Sequence, residues 1–257
     1  MKIAILGAGN MGGAIALGLV QGTKVKAENI TVSNPTNGKL DVLRDFNASI
    51  HVTNSNREAV KDANLIILAV KPWLVKQVLE EIQMDVKKQV LVTVVAGVSF
   101  ADYGTIIDPS ATIFRVIPNT AISLLESTTL IASYNASQEQ EQLILDIFSE
   151  MGLAMLINES QMSAATSLTS CGIAYVLKYI HAAVEAGVEM GIYPKDAQRM
   201  VAQSVKGAAE LLLQNDTHPA LEIDKVTTPG GITIKGLNEL EHAGFSSAII
   251  RAMKASR

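Results

Sequence analysis

The stretch that decides the fold is Lys2-Ile3-Ala4-Ile5-Leu6-Gly7-Ala8-Gly9-Asn10-Met11-Gly12. A short β-branched, apolar run (2–6) passes directly into glycines spaced as G-x-G-x-x-G, and a segment of helix length (12–21) comes next. A strand before and a helix after are the context in which this spacing marks a dinucleotide-binding βαβ unit. The three glycines have separate tasks. Gly7 permits the tight turn, Gly9 lets the backbone approach a pyrophosphate, and Gly12 lets the helix pack on the strand. Asn10 and Met11 belong to the same loop, and the helix it opens has N–H groups and a positive dipole end that suit a phosphate.

The same alternation continues outward. Apolar runs at 30–33, 49–52, 64–70, 89–95, 112–117, 128–133 and 154–157 are rich in β-branched residues. Several are apolar throughout, as strands buried on both faces are. Helix-length segments such as 39–46 and 72–82 lie between them. The reading is α/β: an N-terminal Rossmann-type, doubly wound, mostly parallel sheet. Near Asn158 the pattern changes, and residues 161–214 carry almost no strand signal. They predict a long helix over 161–190, a second from about Pro194 to 214, and a short helix opened by His218-Pro219. A loop at 227–231 and one or two closing helices complete the chain. We expect a dinucleotide domain over 1–158 and an all-helical domain over 159–257. Alanine-rich and poor in aromatics, the second makes a thin core alone and reads as half of a bundle shared between subunits.

Composition narrows the function. Charged residues make up 18% of the chain, below the roughly 25% usual for soluble domains, which points to self-association. A net charge of −4 argues against nucleic-acid binding. The single cysteine, Cys171, excludes an internal disulfide framework and fits a reducing compartment. His51, His181, His218 and His242 are never at metal-ligand spacing, so no metal is expected. No apolar run reaches the length of a membrane span. Asn10 and the early glycines interrupt the N-terminal apolar run, which therefore reads as structure and not as a signal peptide; a cytoplasmic location is the expectation.

The second strand selects the cofactor. An NAD site usually carries Asp or Glu about 20 residues after the glycine loop. Here the strand ends Val32-Ser33-Asn34-Pro35-Thr36, with Lys39 nearby. No carboxylate repels a 2′-phosphate, and Ser33, Asn34 and Thr36 offer donors. We expect NADPH to be preferred, with NADH possible. Ala69-Val70-Lys71-Pro72 ends the fourth strand, and Ala96-Gly97 comes after the fifth. Both stand where strand carboxyl ends border a ligand crevice. Lys71 reads equally as a solvated lysine or a cofactor neighbour. Asn56 completes the expected cofactor set.

The chain resembles the pyrroline-5-carboxylate reductase family over essentially its whole length. The resemblance is carried by GAGNMG at 7–12, AVKP at 69–72, VVAGVS at 94–99 and RVIPNT at 115–120. It continues in the block from His218-Pro219 through VTTPGGITIKGLNELEHAGF at 226–245. The TPGG-x-TI element is the most specific of these. The resemblance implies reduction of the cyclic imine 1-pyrroline-5-carboxylate to L-proline, the last step of proline biosynthesis. It also implies a Rossmann domain followed by a helical dimerisation domain, an intertwined homodimer or larger oligomer, and an imine bound at the subunit interface. Family members typically read D-A-x-T-A-L-S-G-S-G-P-A-[YF] at the start of the long helix. Thr166, Leu168, Gly172, Ala174 and Tyr175 match, whereas Ser163, Ser170, Cys171 and Ile173 depart. The departures mostly keep small residues and bear on substrate detail more than on reaction type. Ile232 stands where a small residue is common.

Imine reduction needs a positioned hydride donor, an electrophilic carbon and a held carboxylate. A protonated imine is already electrophilic, so a dedicated acid is dispensable, and orientation of the two reactants supplies much of the rate. The backbone of Gly230, Gly231 and Ile232, leading into a helix, suits the carboxylate. The resemblance implies that Thr233 brings its hydroxyl to the imine nitrogen; read alone, Thr233 is first a helix cap. Thr166, Ser170 and Gly172 complete the substrate set. Two alternatives stay open. A β-hydroxyacid-type NADP dehydrogenase has a similar layout, but Ala182 stands one turn beyond Lys178 where that family has asparagine. A non-catalytic NADPH-binding regulator would also keep the fold.

Overall fold

In the computed structural model, which describes residues 1–257, all eight apolar runs are strands. They are β1 (Ile3–Leu6), β2 (Ile30–Ser33), β3 (His51–Thr53), β4 (Leu65–Leu68), β5 (Val90–Thr93), β6 (Ile113–Ile117), β7 (Ser127–Tyr134) and β8 (Gly152–Leu156). They form one sheet in the order β3-β2-β1-β4-β5-β6-β7-β8. The pairs from β3 through β6 are parallel. β7 runs antiparallel to β6, and β8 parallel to β7. Only a 3-10 turn, Thr120–Leu124, joins β6 to β7; so short a link cannot make the crossover that a parallel pair requires. Strand order reverses between β1 and β4, and ligands of doubly wound sheets bind at such a switch point.

Helices cover both faces: α1 (Asn10–Gln21), α2 (Asn37–Phe46), α3 (Asn56–Val60), α4 (Val75–Ile82), α5 (Phe100–Gly104) and α6 (Gln138–Ser149). Their starts are written locally. Ser55 caps α3, while Ser99 with Asp102 and Ser137 with Gln140 form reciprocal capping boxes on α5 and α6. Alternate strand residues feed opposite layers. Ile3, Ile5, Ile67, Val92 and Phe114 pack with Ile15 and Leu19 of α1 and Phe148 of α6. Ala4, Leu6, Ile66, Leu68 and Leu91 pack with Val75 and Leu79 of α4 and with Tyr103. This two-sided burial is why the strands read as unbroken apolar runs, and each large side chain contributes about 1.5–3 kcal/mol. Burial pushes the Tyr103 hydroxyl up to about 12, and its hydrogen-bond partner is Thr93.

The chain divides into two compact units, Met1–Ser170 and Cys171–Arg257. The long helix expected over 161–190 is interrupted. α7 (Met162–Thr166) leads into a π turn, Ser167–Cys171, before α8 (Gly172–Glu189) begins. Thr166, Ser167 and Thr169 donate to the carbonyls of Met162, Ser163 and Ala165, each four residues back, a pattern that bends helices. The helix expected over 72–82 likewise starts as a 3-10 turn, Pro72–Leu74, ahead of α4.

The second unit is helical: α8, α9 (Pro194–Asn215), α10 (Pro219–Lys225), α11 (Ile232–His242) and α12 (Phe245–Ala255). Gly191, at φ +92°, turns the chain between α8 and α9. A Cβ on Gly187 would stand 3.1 Å from that of Ala197, so these two helices touch closely. His218 caps α10, its Nδ1 accepting from the Ala220 N–H. Little apolar surface is buried within this unit: Leu177, Met190 and Leu213 are exposed, and α10, α11 and α12 bury no residue fully. No helix of the chain is long and apolar enough to cross a membrane.

Candidate dinucleotide and substrate sites

The turn after β1 is shaped by its glycines. Gly7 sits at φ +104°, and a Cβ there would meet the Ala69 carbonyl oxygen at 2.5 Å. A Cβ on Gly12 would meet the Gly7 carbonyl oxygen at 1.9 Å. Gly9 differs: its Cβ would meet nothing within 4 Å. Gly9 is therefore bare for the sake of the space in front of it and not for its neighbours. It is the N-cap of α1, with no side-chain cap and no acidic residue in the first turn. The uncapped N–H groups face a cavity of about 470 Å³, lined by Gly7, Gly9, Asn10, Met11, Asn34, Asn56, Ala69, Val70 and Lys71 among others. An open cradle at an uncapped helix start is what a pyrophosphate requires, so these residues fit a dinucleotide.

The residues after β2 hold the turn as well as lining it. The Gly7 N–H donates to the Ser33 carbonyl at 2.8 Å. The Ala8 N–H donates to Asn34 Oδ1 at 3.2 Å, while Asn34 Nδ2 donates to the Thr36 carbonyl at 3.0 Å. Asn34 thus splints the glycine loop to the second strand. Ser33 is fully buried, and its hydroxyl donates to Asn56 Oδ1 at 2.7 Å. Asn56 in turn donates through Nδ2 to Glu81 Oε2 at 3.0 Å. Ser33 therefore orients Asn56, which borders the cavity. Lys39 supplies a cation to the same lining, to which Val70 and Lys71 also belong.

Pro72, Ala96 and Gly97 are exposed at the carboxyl ends of β4 and β5, outside that lining. Gly97 adopts φ +79° with open space beyond it. Sequence reasoning passed over Pro35, Leu74, Val78 and Val94, which also border the cavity. The i, i+4 spacing of Leu74 and Val78 on one helical face was the available signal for two of them.

The expected substrate residues fall into two groups. In the first unit, the Thr166 hydroxyl is committed to the Met162 carbonyl at 2.6 Å, and the Ser170 hydroxyl to the Pro118 carbonyl at 3.3 Å. Neither proton is free for a carboxylate. In the second unit, Gly172 is buried at the start of α8. Gly230 adopts φ +72° and Gly231 is the N-cap of α11, again without a side-chain cap or an acidic first-turn residue. A Cβ on Gly231 would meet Thr228 Oγ1 at 2.6 Å. Thr233 is not the cap. It stands in the first turn, exposed beside the exposed Ile232. This is a second uncapped helix start with polar and backbone donors. Lys178 lines a cavity whose wall is Tyr175, Tyr179, Ala182, Phe245 and other apolar residues, with no amide or acid beside it.

A glycine-turned, uncapped helix start at the switch point of a doubly wound sheet defines the class as a dinucleotide-binding protein. The comparisons narrow the class. Residues 159–257 match the family described as pyrroline-5-carboxylate reductase dimerisation, and residues 2–97 match NADP oxidoreductase coenzyme F420-dependent. Pyrroline-5-carboxylate reductase 2 of Dictyostelium discoideum is 38% identical over 99% of this chain and 90% of its own length. Pyrroline-5-carboxylate reductase 1 of that organism is also 38% identical, but the chain spans only about half (48%) of it. The crystal structure of Plasmodium falciparum pyrroline carboxylate reductase with NADP bound superimposes with a TM-score of 0.90 at 28% identity, covering 100% of this chain and 95% of that one. The chain belongs to the pyrroline-5-carboxylate reductase family. Its dimerisation region marks it as self-associating.

Proposed function

We propose that this protein reduces 1-pyrroline-5-carboxylate to L-proline with NADPH, and more weakly with NADH. One observation carries the reading: membership of the family along the full chain, with the glycine cradle intact. Reduced nicotinamide, when bound, supplies the hydride. The chain's part is to hold and orient. Gly7, Gly9, Asn10, Met11 and Gly12 seat the pyrophosphate. Asn34 and Asn56, set by Ser33, and Lys39 face the adenosine end. Ala69, Val70, Lys71, Pro72, Ala96 and Gly97 form the rim along which the nicotinamide half lies. The backbone of Gly230, Gly231 and Ile232 at the uncapped start of α11 receives the substrate carboxylate, and the Thr233 hydroxyl bonds the imine nitrogen. Thr166, Ser170 and Gly172 shape the wall through backbone and bulk, since their hydroxyls are spent or absent. The protonated imine carbon accepts the hydride, its π pair becomes the amine lone pair, and no further protein acid is required.

We take 1–158 as the cofactor domain and 159–257 as the region through which two copies intertwine, with the imine held at the interface between subunits. The poor internal core of the second unit supports this, since its exposed leucines and methionines need a cover. The free Cys171 fits a cytoplasmic setting. The test is direct. Purified protein with the imine and NADPH should consume the reduced cofactor and form L-proline, and sedimentation should give a dimer or larger species. Cofactor binding without turnover would instead favour a regulator on the same fold.

A further inference from the structure

Pro118 and Asn119 come directly after β6 at the carboxyl edge of the parallel strands, the edge on which Gly7 and Ala69 also lie. Asn119 is only 6% exposed, and every polar group it owns is engaged, its carbonyl accepting from the Ile122 N–H at 3.2 Å. Its N–H donates to Ser127 Oγ at 3.0 Å, and its Oδ1 accepts from the Ala121 N–H at 3.0 Å. Its Nδ2 donates to the Thr169 carbonyl at 3.2 Å. Beside it the Ser170 hydroxyl donates to the Pro118 carbonyl at 3.3 Å. Both ties land on the π turn Ser167–Cys171.

A π turn widens the helical ladder, and such turns gather at functional sites because they re-aim the residues after them. Relaxing one to ordinary α-helix shifts facing by about one residue, roughly 100° about the axis. The hydroxyls of Thr166, Ser167 and Thr169 bend this segment from within. Asn119 holds it from outside, and its amide is rigid because its other end is pinned to Ala121.

We propose that Asn119 is a positioning residue for the substrate wall: through the Thr169 carbonyl it keeps the π turn open and so fixes where Ser170 faces relative to Thr166. The inference rests on the reading of 166–172 as part of the substrate site. It assigns Asn119 no contact with the substrate itself.

The test uses Asn119→Asp, which keeps the acceptor for Ala121 and deletes the donor to Thr169. Steady-state kinetics with 1-pyrroline-5-carboxylate, NADPH affinity from the fluorescence of the sole tryptophan, Trp73, and hydrogen exchange of peptides covering 163–175 are measured on the full chain. The expected result is a KM for the imine at least tenfold higher, NADPH affinity within twofold of wild type, and faster exchange confined to 163–175. A KM rise matched by an equal loss of NADPH affinity would mean general loosening and overturn the proposal. A raised KM with unchanged exchange would mean direct substrate contact and overturn it too, as would an unchanged KM. If Asn119→Asp does not fold, Asn119→Ala is read by the same criteria. If the wild-type protein does not turn over the imine, the substrate reading falls, and exchange alone decides whether Asn119 holds the turn.

Discussion

The carbonyl oxygen of Gly7 lies where a side chain on Gly12 would have to be: a Cβ there would stand 1.9 Å from it. Gly9, between them in sequence, has nothing within 4 Å of the same point. The two glycines are needed for different reasons, and two variants separate them. Gly12→Ala should unfold or markedly destabilise the first unit, because backbone must move to admit the methyl. Gly9→Ala should melt as wild type yet bind NADPH at least tenfold more weakly, because its methyl occupies phosphate space. Thermal melts paired with Trp73 fluorescence titrations check both. Wild-type NADPH affinity in Gly9→Ala would remove the pyrophosphate from this cradle.

Thr233 is free to serve chemistry because Gly231, not Thr233, occupies the cap of α11. Thr233→Ala should therefore cost no helix stability while lowering kcat/KM for the imine tenfold or more, about 1.4 kcal/mol of transition-state stabilisation. NADPH affinity should not change. A parallel loss of melting temperature and activity would return Thr233 to a structural role.

Lys39, on α2, lines the cavity at the glycine turn, and no carboxylate ends β2. An exposed ion pair is worth about 1 kcal/mol, roughly fivefold in affinity. Lys39→Ala should raise the KM for NADPH by about that factor and leave the KM for NADH unchanged, with the contrast fading at high salt. Equal effects on both cofactors would place the 2′-phosphate elsewhere.

Glu150, at the end of α6, accepts from the Thr23 hydroxyl, the Thr23 N–H at 2.7 Å and the Lys24 N–H at 3.0 Å. Partial burial raises its pKa, but these hydrogen bonds outweigh that and hold it below the ordinary 4.5. A carboxyl depressed on folding contributes stability that is fully present above its unfolded pKa and is lost as pH falls through the folded value. Glu150→Gln should thus melt about 2–4 °C lower at pH 7, and the gap from wild type should close as pH falls below the ordinary carboxylate range. A gap that persists in acid would show that the charge is not what matters.

The strands and their two-sided burial were legible because apolar runs such as 64–70 answer to residue type alone. The uncapped start at Gly231 was legible as a glycine turn. The committed hydroxyls of Thr166 and Ser170 were not. A hydroxyl written in sequence as a free donor can be spent on a backbone carbonyl four residues back or fifty-two away, and composition is the same in either case. Ser33 shows the same limit: at the end of β2 it could face ligand or core, and its bond to Asn56, twenty-three residues on, depends on how α3 packs.

By itself the sequence determined the β1–glycine turn–α1 unit, the parallel sheet built around it and the helical character of the chain beyond residue 158. Those outcomes depend on contiguous residues, where sign of φ, side-chain bulk and apolar period act over a few positions. Tertiary structure alone decided that the long helix breaks into a π turn and that Asn119 holds it, since the Asn119–Thr169 bond joins residues fifty apart. Such a bond forms only when the carboxyl end of β6 and the helix are already packed together, and no local pattern records that encounter.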